Sequence, residues 1–230
     1  MLRIRRMFTD IARRYDLLNR VITFGRDQTW RRALVQQAAP APGDRILDVG
    51  AGTGDLALTC IRQAPDGRVV AVDFTAAMLV RGKARTRDLP VRWVRADALH
   101  LPFASRTFDR ALSGFLLRNV DDLDRALSEQ LRVLRRAGRI LSLDTTRPTG
   151  VPFAWLIRTY FRTAVPILGW ALSGHFSAYR YLASSTEAHL TAEELAVRLA
   201  SAGFGDCGFR RMMLGSVAIH WGTKPFAPGE

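Results

Sequence analysis

The chain has 230 residues, 48% of them hydrophobic, and a formal charge of +13 carried almost wholly by arginine. That length supplies one substantial core and is short for two ordinary domains, so a single domain with additions is expected. Cys60 and Cys207 lie far apart, and His100, His175, His189 and His220 are scattered, which argues against a disulfide framework or a cysteine-based metal site and leaves a reducing cytoplasm as the expected setting.

Residues 1–40 read as two helices forming a cap before the main domain. Their start, MLRIRRMFTDIARRYD, is basic but lacks the 7–15-residue apolar core and small-residue cleavage site of a secretory signal. From residue 44 to 145, short β-rich runs alternate with helical patterns: RILDV, DLALTCIRQA, RVVAVD, AAMLVRGKAR, VRWVRAD, RALSGFLL, DLDRALSEQLRVL and RILSLD. That alternation predicts βαβ units, and hence an α/β fold with a doubly wound, mostly parallel sheet covered on both faces.

Residues 146–190 form an aromatic insertion, and the stretch 145–186 contains no Asp or Glu. It holds Phe153, Trp155, Tyr160, Phe161, Trp170, Phe176, Tyr179 and Tyr181, and Arg158 and Arg162 fall one helical turn apart, opposite Phe153, Leu156, Ile157 and Tyr160. AVPILGWALSG is about half the length a bilayer span requires, so it can touch a membrane but not cross it. In residues 191–230, TAEELAVRLASAGF begins at a Thr191 cap with Glu194 at the capping-box spacing and stops at Gly203. GFRRMM and SVAIHWG, separated by a Leu-Gly turn, then read as an antiparallel hairpin.

The first strand runs into LDVGAGTGDLAL, a glycine turn opening a helix, and Asp73 lies about 20 residues further on, at the end of the next strand. Glycines let the backbone approach a nucleoside, and a carboxylate at that place accepts hydrogen bonds from ribose hydroxyls. Gly50, Gly52 and Gly54 have the spacing G-x-G-x-G, and Asp55 stands where a dinucleotide fingerprint has its last glycine. A carboxylate at a helix N-terminus repels a pyrophosphate, so a ligand without phosphate fits. S-adenosylmethionine fits these residues: its adenosine reaches Asp73, its ammonium suits Asp48, and Asp97 with the Ala98 amide can read the adenine edge.

With those residues in place, the chain resembles the ubiquinone/menaquinone biosynthesis C-methyltransferases, within the class I S-adenosylmethionine-dependent methyltransferases. YDLLNRVITFGRDQTWRR resembles the family's first signature through Tyr15, Asp16, Asn19, Gly25, Trp30 and Arg31. FLLRNVDDLDRALSEQLRVLRRAGRILSLD resembles the second, and YRYLASS a third element. The resemblance implies a seven-stranded sheet ending in the antiparallel hairpin, cofactor positions at Thr53, Asp73, Asp97, Ala98 and Gly114, and a polyprenyl quinol as acceptor. Departures from the family pattern are Leu116 where a glycine is frequent, Asp27 where a histidine is frequent, Asp97 and Gly114 where relatives have Asn and Ser, and Arg136-Ala137 in place of Pro-Gly.

Methylating a quinol ring carbon requires a neighbouring hydroxyl to lose its proton, so an oxyanion must be stabilised beside the methyl donor. Arg118 suits that electrostatic role rather than the role of a base. Asn119 can fix a ring oxygen, and Tyr15 can clamp the ring or relay a proton. The alternative for Arg118 is a buried pair with Asp121 or Asp122, or a cap on the preceding strand. The +13 charge fits an anionic membrane surface, a nucleic-acid partner, or simply an arginine-rich composition; with a quinol acceptor we expect the membrane surface and no nucleic acid. Oligomeric state is left open.

Overall fold

The computed structural model describes residues 15–148, 154–173 and 189–226. Outside the described residues lie the basic segment 1–14, the YRYLASS element and the side chains of Tyr15, Phe153, Leu156, Ile157 and Arg158. Among the described residues, two helices, α1 (Tyr15–Ile22) and α2 (Arg26–Ala38), precede β1 (Arg45–Val49). The alternation then runs α3 (Asp55–Gln63), β2 (Arg68–Asp73), α4 (Ala76–Arg85), β3 (Val91–Arg95), β4 (Phe108–Gly114), α5 (Leu123–Val133) and β5 (Leu134–Thr145). It is followed by α6 (Ala154–Ser173), α7 (Ala192–Ser201), β6 (Gly205–Met212) and β7 (Val217–Thr223).

The strands form one sheet of order β3-β2-β1-β4-β5-β7-β6. All pairings up to β5 are parallel, and β7 runs antiparallel to both β5 and β6. Side chains alternate faces along each strand. Ile46, Leu112, Leu141 and Ile219 meet Trp30, Leu34, Leu56 and Cys60 of α2 and α3 on one side. Leu47, Val49, Ala111 and Ile140 meet Leu127, Val133, Leu195 and Leu199 of α5 and α7 on the other. Each large side chain so buried contributes about 1.5–3 kcal/mol.

Thr191 and Glu194 form the reciprocal capping box that their spacing predicts. Three boundaries differ from the sequence reading. β4 stops at Gly114 rather than Leu117, because Phe115 takes φ +61° and turns the chain out of the ladder into a 3-10 turn at Leu117–Asn119. β3 likewise ends at Arg95, before the Asp97 corner. β5 begins at Leu134, five residues before Arg139, since Leu134 already pairs with Phe108 ahead of a bulge. α6 is one 20-residue helix with Pro166 inside. Among the described residues no helix is long and apolar enough to cross a membrane.

Candidate active site

The strand order reverses between β1 and β4, and a crevice forms outside the carboxyl ends of strands at such a point. Here it is a cleft of about 660 Å³ lined by the glycine turn, Asp73, Met78, Asp97, Ala98, Gly114, Phe115, Leu116 and Asn119. Gly52 has φ +56° and nothing within 4 Å of where a Cβ would sit, so its backbone faces open space. At Gly50 a Cβ would meet Leu116 Cδ1 at 2.7 Å, so Leu116 closes one side of the cleft.

Asp73 is fixed by two amides: Gly52 N–H donates to Oδ2 at 2.9 Å and Thr75 N–H to Oδ1 at 2.8 Å. Burial raises its pKa and those amides oppose the rise. Lone pairs remain for ribose hydroxyls. Asp97 Oδ1 accepts from Leu99 N–H at 2.9 Å, which orients the carboxylate beside Ala98.

A smaller groove of about 310 Å³ opens beyond Gly50, Gly52 and Gly114, between Arg31, Asp48, Thr53 and Asp55. Asp48 is 0% exposed, and among the described residues neither of its carboxyl oxygens has a partner at hydrogen-bond geometry, although the Ala57 amide is near enough to lower its pKa. Burial pushes it up to about 7, with Arg31 pulling the other way. Thr53 is brought to this groove, but its hydroxyl donates to Asp16 Oδ1 at 2.6 Å. Arg85 bridges Asp16, Thr53 and Asp55 at 2.6–3.1 Å, fastening α1 to the glycine turn. Burial favours the neutral form of Asp55, yet Arg31 and Arg85 hold its pKa below the ordinary value.

A third pocket, of about 500 Å³, shares Phe115 with the cleft and is otherwise lined by Asn19, Ile22, Thr23, Asp27, Trp30, Arg118, Thr145, Met213 and Val217. Phe115 is therefore a wall common to both, with the Arg118 guanidinium 5.2 Å and the Arg31 guanidinium 5.5 Å from its ring centre. Arg118 does not pair with Asp121 or Asp122. Asp122 caps α5 by accepting from Arg125 N–H, and Arg118 Nη1 donates to Asp144 Oδ1 at 2.6 Å. Asp144 is 0% exposed. Two donors of this pocket's side chains, Arg118 Nε and Asn19 Nδ2, have no hydrogen-bond partner. Asn119 lies on the cleft side, where its Nδ2 donates to the Phe115 carbonyl at 2.9 Å.

Asp48, Gly50, Gly52, Asp73, Asp97, Ala98 and Gly114 thus gather at two connected grooves, and Arg118 faces the adjoining pocket. Of Tyr15 only the backbone, at the start of α1, is described. Sequence reasoning gave no site role to Asp16, Arg85 or Asp144, nor to Arg31, which is buried at 5% exposure. The available signals were Asp16 and Arg31 inside the first signature.

The donor set suits S-adenosylmethionine: a carboxylate fixed for ribose, an unpartnered buried carboxyl for an ammonium, and an acidic helix start unsuited to phosphate. With the reversed sheet edge, this is a class I S-adenosylmethionine-dependent methyltransferase. In fold the chain is similar to a Haloferax volcanii putative methyltransferase solved in complex with the Trm112 activator, with TM-score 0.70 and 15% identity, covering 95% of this chain and 98% of that one. It is also similar to Haemonchus contortus phosphoethanolamine N-methyltransferase 2 in complex with S-adenosyl-L-methionine, with TM-score 0.65 and 16% identity over 86% of this chain and 53% of that one.

The chain belongs to the ubiE/COQ5 methyltransferase family, whose model matches residues 2–224. A demethylmenaquinone methyltransferase of Thermus thermophilus is 44% identical over 221 residues, covering 95% of this chain and all of that protein. A ubiquinone/menaquinone biosynthesis C-methyltransferase of Desulfotalea psychrophila is 42% identical over 96% of this chain and 90% of its own length.

Proposed function

We propose that this enzyme methylates a ring carbon of a polyprenyl quinol, demethylmenaquinol first and the benzoquinol of the ubiquinone pathway second, while resting on an anionic membrane surface. The observation that carries the reading is the largely apolar pocket that adjoins the cofactor cleft at Phe115, with a buried arginine in its wall. The names of the relatives support the same acceptor class.

When bound, S-adenosylmethionine supplies an electrophilic methyl group on a sulfonium. The chain's residues must hold the acceptor and move one proton. Asp27, a buried carboxylate lining the acceptor pocket, takes the hydroxyl proton. Arg118, held in place by Asp144, stabilises the oxyanion, and Asn19 Nδ2 donates to a ring oxygen. Asn119 fixes the Phe115 carbonyl where the two pockets meet. Tyr15 begins the helix that supplies Asn19 and Ile22, and in this reading it clamps the ring or relays the proton. A positioned base contributes about 10²–10⁴-fold, so Asp27→Asn should lower kcat by at least about 100-fold with cofactor binding retained. Unchanged kcat would remove Asp27 from the mechanism.

The membrane part rests on exposed side chains. Phe24, 72% exposed, Trp155, Ile167 and Trp170 face solvent, with exposed Arg20 and Arg26 near Phe24. Tyr160 ties α6 to this edge: its hydroxyl donates to the Ile22 carbonyl at 2.8 Å, and its ring lies 5.9 Å from Phe24. Aromatic and basic side chains together suit an anionic interface. Ile22 also lines the acceptor pocket, so a polyprenyl tail can leave toward the same side, alongside α6.

Transfer of labelled methyl from S-adenosylmethionine should be measured with demethylmenaquinol and with a panel of phenols and sterols. Label in demethylmenaquinol is expected; label only in the panel would overturn the acceptor assignment. Sedimentation with anionic vesicles should fall when Phe24 and Trp170 are replaced by Ser. Tight, steeply salt-dependent binding of RNA or DNA instead would favour a nucleic-acid acceptor.

A further inference from the structure

The arginine beside Trp30 has a place in the site that its sequence context conceals. Arg31 is 5% exposed, inside α2, and its Nε has no hydrogen-bond partner. The nearest carboxylates to Nε, Asp27 at 3.8 Å and Asp55 at 3.9 Å, attract it without meeting it at hydrogen-bond length. They keep a buried cation compensated while leaving donor capacity in the groove, an arrangement that is costly without a guest anion.

Its direction is set by a missing side chain. Arg31 Nη1 lies 2.9 Å from where a Cβ on Gly114 would stand, so any larger residue there would press against the guanidinium. Gly114 lines both the cofactor cleft and the smaller groove, and Arg31 lines the groove together with Asp48. A bound adenosine held by Asp73 therefore has, beyond the glycine turn, one unpartnered carboxyl and one under-satisfied guanidinium on the walls of the same groove. The methionine end of the cofactor is a zwitterion with one group for each.

We propose that Arg31 receives the carboxylate of the cofactor's methionine end, opposite Asp48, which takes the ammonium, and that glycine at position 114 opens the path between them. A planar guanidinium matches a carboxylate with two parallel donors. The proposal rests on the S-adenosylmethionine assignment and is independent of the acceptor.

The test compares binding of S-adenosylmethionine with binding of its decarboxylated form, which keeps the adenosine, sulfonium and amine and lacks only the carboxylate. Dissociation constants come from calorimetry, without turnover. The wild-type protein should prefer S-adenosylmethionine by about tenfold or more, the range of a charged hydrogen bond. Arg31→Gln should erase that preference while binding the decarboxylated form as the wild type does. Arg31→Lys, which keeps the charge but not the fork, should restore part of it, and Gly114→Ala should reduce it.

A wild-type protein indifferent to the carboxylate would overturn the proposal. So would equal loss of both ligands in Arg31→Gln. If Arg31→Gln and Arg31→Lys both bind neither ligand, the arginine is a structural element and the proposal fails.

Discussion

Replacing Asp48 by Asn should stabilise the cofactor-free protein and weaken cofactor binding, and the first effect should depend on pH. The carboxyl is fully buried, among the described residues its oxygens have no partner at hydrogen-bond geometry, and burial raises its pKa from 3.8 to about 7 against the pull of Arg31 and the Ala57 amide. A carboxyl whose pKa is higher in the fold than in the unfolded chain destabilises the fold as pH rises between the two values. The penalty is absent below 3.8 and complete above 7. At about 1.4 kcal/mol per pH unit across that interval, it reaches about 4 kcal/mol by pH 8. An amide of the same shape carries no such penalty, so Asp48→Asn should gain up to about 4 kcal/mol at pH 8 and close to nothing at pH 4. Urea denaturation of the cofactor-free wild type and variant at both pH values reads the difference directly, because every other titrating group is shared. Calorimetry should in parallel show S-adenosylhomocysteine binding weakened by about tenfold or more, since the amino group loses its counter-charge. A stability change of equal size at both pH values would refute the argument, because the carboxyl would then not be titrating in that window.

Other perturbations test separate parts of the site. Arg118→Ala leaves Asp144 buried without its cation and should destabilise the protein by about 3–5 kcal/mol. Arg118→Lys keeps a charge there and should hold cofactor affinity near the wild-type value while methyl transfer falls by about 100-fold or more; unchanged transfer would make the arginine structural. His220 is fully buried, with Nε2 2.9 Å from the Ala192 carbonyl, and burial lowers its pKa to about 4. A lowered histidine pKa gives stability that is complete above the unfolded value of 6.5 and is lost as pH falls toward 4. The loss is about 3 kcal/mol, and His220→Gln should flatten that part of a denaturation profile. Ala137 has φ +56°, a conformation that strains a residue with a Cβ by about 1–2 kcal/mol. Ala137→Gly should therefore raise stability by about 0.5–1 kcal/mol after the entropy of glycine is charged against it, as measured by the urea midpoint.

Most of the fold was legible because its signals are local. The strands RILDV and RVVAVD and the helix AAMLVRGKAR fall where their periodicity places them. Asp73 was readable as a ribose carboxylate because a strand of fixed rise brings it back beside the glycine turn. The turn after β4 was not readable, since Phe115, at φ +61°, carries no sequence sign of a left-handed conformation.

The sequence by itself determined the α/β alternation, the nucleoside-type glycine turn without a phosphate seat, and the family through signatures spread along the chain. It could not determine which charges meet. Arg118 is followed closely by Asp121 and Asp122, yet its partner is Asp144, 26 residues away, because parallel pairing of β4 with β5 brings the two strand ends together. Arg31 looks like surface charge beside Arg32 and is buried, because α2 packs that face onto the sheet and Gly114 leaves room for the guanidinium. Local periodicity is written in neighbouring residues, whereas the pairing of buried charges is decided by which strand ends and helix faces the crossovers bring into contact.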